Sequence, residues 1–181
     1  MDAKPERLTC LYGNRLVEKD HPVIIFRGKL DTLTAMILEA QLLGEERGNG
    51  SYVNDLQEIL EFVRRLLPAE YKGTPLGEFN LLGFSPGELR EQSCHPERYF
   101  GREHLLMDRA MGALSLRLNL LRAIVRETEL AAAAALRFSS GSAASRWEAI
   151  VEALNRLSSL FYILVYKYLP QNYSPKGNAG I

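Results

Sequence analysis

The stretch Leu118–Leu130, "LNLLRAIVRETEL", decides how this chain folds. Rich in Leu, Ile and Val, it reads as the middle of an apolar helix. The same helix carries Arg122, Arg126 and Glu129, which steps of four and three place on one stripe. Working outward, the helix is expected from about Asp108 to Arg137. It ends on five alanines, Ala131 to Ala135, which are good helix formers and small enough for close helix packing.

The C-terminal neighbour has the same design. After a hinge at "SSGSAAS", Ser145 and Glu148 have capping-box spacing, and an apolar helix is expected to run to Leu169, before Pro170. It carries its own polar stripe: Glu152, Asn155, Ser159, Tyr162 and Tyr166. Toward the N-terminus, Leu30, Leu33, Ile37 and Ala40 predict a helix over about Arg27–Leu43, stopped by Gly44. Leu56, Ile59, Leu60, Val63 and Leu67 predict another, capped by Asn54 and ended by Pro68. Ser85-Pro86-Gly87-Glu88 reads as a capping box opening a short helix to about Ser93. Residues 1–22 read as irregular, with a turn at "YGN", and "VIIF" as either a short strand or a lead-in to the first helix. The expected fold is therefore all-α: a bundle of four long helices and one short one, a single domain over 1–169 with a flexible tail over 170–181.

The totals agree with one domain. The chain has 181 residues, 46% hydrophobic and 24% charged, with 22 basic and 22 acidic side chains. That balance argues against a general nucleic-acid surface. The two cysteines, Cys10 and Cys94, fit free thiols in a reducing compartment. The N-terminus lacks the apolar run of a signal peptide, and "LFYILVY" is too short to span a bilayer. The expectation is a cytoplasmic protein with no membrane partner.

Two readings of the polar stripes stay open on composition alone. They can be the wet faces of two amphipathic helices, with Arg126 and Glu129 an ordinary exposed pair. Or the arginines form an anion site, since a guanidinium presents a planar fork to phosphate or carboxylate and stays charged when partly desolvated. Asp31 is a candidate carboxylate for Arg122. His95 directly follows Cys94, which is not a metal-site spacing, so no metal ligands are assigned.

Three segments in order carry a resemblance. "NRLSSLFYILVY" (Asn155–Tyr166), "RAIVRETE" (Arg122–Glu129) and "LYGNRLVEKDHPVIIFRGKLDTL" (Leu11–Leu33) resemble the ATP:cob(I)alamin adenosyltransferases of the propanediol-utilisation type. "LNLLRAIVRETE", "ALNRLSS" and "HPERYFGREHLL" are closest to the ethanolamine-utilisation branch. The resemblance implies a helical bundle, usually a homotrimer, with active sites between subunits. It implies ATP, cobalamin and Mg²⁺, and transfer of the 5′-deoxyadenosyl group to cob(I)alamin with release of triphosphate. It also implies a cytoplasmic place, with a metabolic microcompartment as one setting. Carried over by position, Lys19 contacts the ATP phosphates, Asp31 pairs with Arg122 across a subunit interface, and Arg126 binds triphosphate. Glu129 and Asn155 hold the nucleotide. His104 and Met107, with Leu105 and Leu106, fall where the family has an aromatic side chain shielding the cobalt. The family's N-terminal loop of Thr, Gly and Asp is here "MDAKPERLTC", without glycine, and Thr9 is its last remnant. The place of the family's second adjacent arginine holds Glu127. The lost loop motivates a second hypothesis, a non-catalytic corrinoid-binding or scaffold relative on the same bundle.

Overall fold

The computed structural model describes residues 5–13 and 15–174. Its long helices are α1 (Pro22–Glu46), α2 (Gly50–Lys72), α5 (Gly112–Leu136) and α6 (Ser142–Lys167); the short ones are α3 (Pro86–Cys94) and α4 (Pro96–Phe100). The bundle is all-α apart from one hairpin. Its centre is the α5–α6 pair; α1 packs on α5, α2 on α1, and α3 on α6. Phe26, Leu33 and Ile37 of α1 meet Leu56 and Ile59 of α2, Leu118 and Val125 of α5, and Leu157 and Phe161 of α6 in one continuous core. The alanine run does what small side chains allow: Ala131, Ala132 and Ala135 are buried.

α6 is long and apolar enough to cross a membrane, with mean hydropathy 1.3 over its most apolar window. In this fold 61% of that window is buried, because α5, α3 and α2 pack against α6.

Several boundaries differ from expectation. The N-terminal region is not irregular throughout. Leu8–Leu11 (β1) pairs antiparallel with Arg15–Glu18 (β2), Leu8 opposite Glu18 and Leu11 opposite Arg15. The strands are four residues each and largely exposed, with only Leu11 fully buried, so they lack the alternation that betrays a half-buried strand. "VIIF" is helical, since α1 begins at Pro22, with the His21 ring accepting from Val23 N. Gly44 does not stop α1. It is buried inside the helix, where a Cβ would stand 2.7 Å from Tyr52 Cδ1 and 2.9 Å from Val53 Cγ2. The glycine is there to let α2 approach.

Asn49, not Asn54, caps α2: its Oδ1 accepts from Tyr52 N at 3.0 Å. Pro68 lies within α2, which continues to Lys72 and ends at Gly73 with φ +71°. The Ser85 capping box forms as expected, Ser85 N donating to Glu88 Oε2 at 2.8 Å and Glu88 N to Ser85 Oγ at 3.3 Å. That pairing holds the Glu88 carboxyl below its usual range, through its bonds from the Ser85 side chain and backbone. A single 3-10 turn at Arg109–Met111 precedes α5. α6 starts at Ser142, without a side-chain cap, rather than at Ser145. Beyond α6, Tyr173 is buried, and Arg102 donates to its carbonyl at 3.0 Å.

Candidate functional site

α5 and α6 lie side by side with their polar stripes facing the same way. Between them and the segment after α4 is an open cleft of about 560 Å³. Arg122, Arg126 and Glu129 line it from α5, and Asn155, Ser158, Ser159 and Tyr162 from α6. His104, Leu105 and Ser93 close the third side. Five of the residues singled out by sequence therefore meet in one place: Arg122, Arg126, Glu129, Asn155 and His104.

The cleft is ordered by direct contacts. Asn155 Nδ2 donates to Glu129 Oε1 at 3.0 Å, tying α6 to α5. Asn155 Oδ1 accepts from Arg156, and the Asn155 carbonyl accepts from Ser158 Oγ at 2.8 Å. The Arg122 guanidinium lies over the Tyr162 ring, 4.7 Å from its centroid, a cation–π contact that orients the charge without neutralising it. Among the described residues, neither Arg122 nor Arg126 has a carboxylate within salt-bridge distance. Two guanidinium groups not cancelled by carboxylates, on one wall of a cleft, make a site for an anion such as a polyphosphate. Glu127, in contrast, turns to α1 and accepts from Lys29 Nζ at 2.6 Å, an exposed pair away from the cleft.

Tyr162 is the lining residue that sequence reading placed on the stripe without giving it a role. It is 7% exposed. Its hydroxyl is 2.9 Å from His104 Nδ1 and 2.9 Å from the Tyr166 hydroxyl, and Tyr166 in turn donates to the Glu103 carbonyl at 3.1 Å. The stripe Asn155, Ser159, Tyr162 and Tyr166, at steps of three and four, is the available signal.

The other sequence-predicted residues do not line this cleft. Asp31 is exposed on α1 and makes no ion pair among the described residues. Lys19 follows β2, with its Nζ 3.9 Å from Glu6, both largely solvent-exposed. Thr9 sits in β1 opposite Val17. Met107 packs half-buried against the core. Part of the segment that replaces the glycine-rich loop, residues 1–4, lies outside the described residues. No group of three or more His, Cys, Asp or Glu side chains suited to a metal ion occurs among the described residues.

A second polar cluster sits at the hairpin end of the bundle. Glu70 is buried, and its carboxylate receives Arg27 Nε at 2.9 Å, Arg27 Nη2 at 3.3 Å and the Tyr12 hydroxyl. The Arg27 guanidinium also lies near the Tyr12 and Tyr71 rings, 5.3 and 5.9 Å from their centroids. Burial, then the bond to Glu70, pushes the Tyr12 hydroxyl up to about 12. These contacts tie the hairpin and α1 to α2.

Comparison with known proteins bears on the α5–α6 cleft. Residues 102–168 match the family model described as cobalamin adenosyltransferase, a segment that contains Arg122, Arg126, Glu129, Asn155, His104 and Tyr162. The chain is 34% identical over 162 residues to the corrinoid adenosyltransferase EutT of Escherichia coli (strain K12), an alignment covering 90% of this chain and 58% of that protein. It is 33% identical over the same length to the corrinoid adenosyltransferase EutT of Salmonella typhimurium (strain LT2), with the same coverage. The chain thus spans somewhat over half the length of the curated relatives it matches. No solved structure matches.

Proposed function

We propose that the chain belongs to the corrinoid adenosyltransferases and transfers the 5′-deoxyadenosyl group of ATP to cob(I)alamin, releasing triphosphate. The observation that carries this reading is the gathering of Arg122, Arg126, Glu129, Asn155 and His104 in one cleft, inside the segment that the family model matches. In the reaction the cobalt(I) electron pair forms the Co–C bond at the ribose C5′. The C5′–O bond breaks, and its electron pair leaves on the triphosphate. No protein nucleophile is required, because the cobalt of the substrate is the nucleophile. The protein's work is to align C5′ with cobalt and to stabilise the charge that develops on the leaving group. Arg126 takes that second role, and a Mg²⁺ ion arriving with ATP would share it. Glu129 and Asn155, already bonded to each other, present a rigid polar edge to the nucleotide. His104 and Leu105 wall the side toward the corrinoid.

The active assembly in this reading is a homo-oligomer, most simply a trimer. Leu38 and Leu42 on α1 and Leu120 and Leu130 on α5 are exposed apolar side chains on two helices that pack together, as expected of a surface that another copy covers. Asp31 on α1 and Arg122 on α5 both lack ion-pair partners among the described residues. A neighbour's Asp31 against Arg122 satisfies both, and the same assembly brings Lys19 and Thr9 of the hairpin toward a second chain's phosphates. Two exposed free cysteines suit a reducing compartment, and the cytoplasm is the place proposed. The non-catalytic alternative is not favoured, since the cleft retains both arginines.

The test is direct. Purified protein with ATP and chemically reduced cobalamin should form the Co–C bond, read by its absorption spectrum, with one triphosphate per adenosylcobalamin. Absence of that product from folded, assembled protein would leave the binding-module reading in its place.

A further inference from the structure

The hydroxyl chain behind the cleft has a direction. A carbonyl oxygen only accepts, so the Tyr166 hydroxyl uses its one proton on Glu103 O at 3.1 Å. At the 2.9 Å contact between the two tyrosines, Tyr166 is then the acceptor and Tyr162 the donor. With the Tyr162 proton spent, its oxygen can only accept at the 2.9 Å contact with His104 Nδ1. Nδ1 must therefore carry hydrogen. Burial, and after it the contact with Tyr162, push the Tyr166 hydroxyl far above the usual tyrosine range, so the chain keeps its protons at ordinary pH. The His104 ring lies nearly parallel to that of Tyr162, 6.0 Å between centroids, and Tyr166 is braced by stacking on Phe100 at 4.6 Å.

We infer that Tyr162 is a positioning residue of the cleft: its ring seats the Arg122 guanidinium, and its hydroxyl, oriented by Tyr166 and the Glu103 carbonyl, holds His104 as the Nδ1–H tautomer, so that Nε2 offers a lone pair to an O–H or N–H donor of a bound ligand. The ring nitrogen that is not tied down takes its state from the one that is. One tyrosine thus sets two functional groups on opposite sides of the cleft. The ligand role rests on the adenosyltransferase reading; the tautomer does not, because it follows from the free protein's own hydrogen bonds.

The test uses ¹⁵N NMR of the intact ligand-free protein at about pH 8, where imidazoles are ordinarily neutral. The chain has three histidines, and His104 is assigned by difference with His104→Gln. Its Nδ1 should show the protonated pyrrole-type shift and Nε2 the unprotonated one. In Tyr166→Phe the Tyr162 hydroxyl is free to donate to Nδ1, and the pattern should reverse. An Nε2–H tautomer in the unmodified protein overturns the inference, whatever the variants do. Where both ligands bind, a shift at Nε2 on adding ATP alone assigns the donor to the nucleotide. A shift on adding cobalamin alone assigns it to the corrin amides. No shift with either overturns the acceptor role. Failure of either ligand to bind counts against the adenosyltransferase reading and leaves the tautomer result standing. Tyr166→Phe should also lower kcat/KM by about tenfold, the order expected when a group that orients a site residue is lost.

Discussion

Arg126 and Arg122 share a helix face but are held differently, and their variants should separate. Arg126 is exposed at the cleft, without a carboxylate partner among the described residues, so its whole charge is available to the triphosphate of the proposed reaction. Arg126→Ala should lower kcat by about 100- to 1,000-fold, the effect of removing one preorganised stabiliser of transition-state charge. Arg126→Lys should recover part of that loss, since it keeps the charge without the fork. Steady-state kinetics checks both. Arg122 is fixed by the Tyr162 ring, and its proposed partner is a neighbour's Asp31. Asp31→Ala should weaken both activity and assembly, measured by turnover and sedimentation; full activity with normal assembly would remove that role. The three α5 residues were legible in the sequence because steps of four and three on a helix leave little freedom in where they point. Tyr162 stood on a legible stripe too, but its role depends on the loop holding His104 and Glu103, and no periodicity reports a loop.

At the scale of elements, the packing of α1 on α2 turns on Gly44. Its replacement by alanine would bring a Cβ to 2.7 Å from the buried Tyr52 ring. Overpacking of this kind costs about 1–3 kcal/mol, against about 1 kcal/mol gained in helix propensity. Gly44→Ala should therefore be neutral to destabilising, seen as an unchanged or lowered Tm, where the same change at an open helical site would raise it. The sequence presents Gly44 as a stop signal because local propensity is all that it displays; the reason for the glycine is a ring eight residues away on another helix. Pro68 misleads in the same way, since α2 continues past it to Lys72 on the packing of Leu66 and Ala69. The Ser85 capping box was legible because every partner lies within four residues. The hairpin was not, apart from its "YGN" turn, because four-residue strands with one buried side chain leave almost no pattern.

For the whole molecule, a buried ion pair and a set of raised tyrosines make stability testable. The Arg27–Glu70 pair joins α1 to α2 with the carboxylate fully buried. Glu70→Ala should destabilise by about 3 kcal/mol, because it leaves the half-buried Arg27 and the Tyr12 hydroxyl without their partner; chemical denaturation measures it. Alkali should act through the tyrosines. Tyr12 is raised to about 12, and Tyr52, Tyr166 and Tyr168 are raised further, all chiefly by burial. A tyrosine raised in the folded state lends stability that is fully present below its unfolded value of about 10 and is lost as pH climbs through the folded value. The Tm should accordingly fall steeply above about pH 10, and less steeply in Tyr12→Phe. The bundle and its order of helices were readable from apolar spacing, and the candidate residues of the α5–α6 cleft from the polar stripes and the segments that carry the resemblance. The places of Asp31, Lys19 and Thr9 were not, since one chain leaves them outside the cleft. The central claim is that the α5–α6 cleft holds the reacting groups, and a crystal structure with ATP and cobalamin bound tests it most directly. The account predicts triphosphate oxygens within hydrogen-bonding distance of Arg126, C5′ facing the cobalt, and a second copy's Asp31 against Arg122. Triphosphate bound elsewhere, with Arg126 facing only solvent, would contradict it.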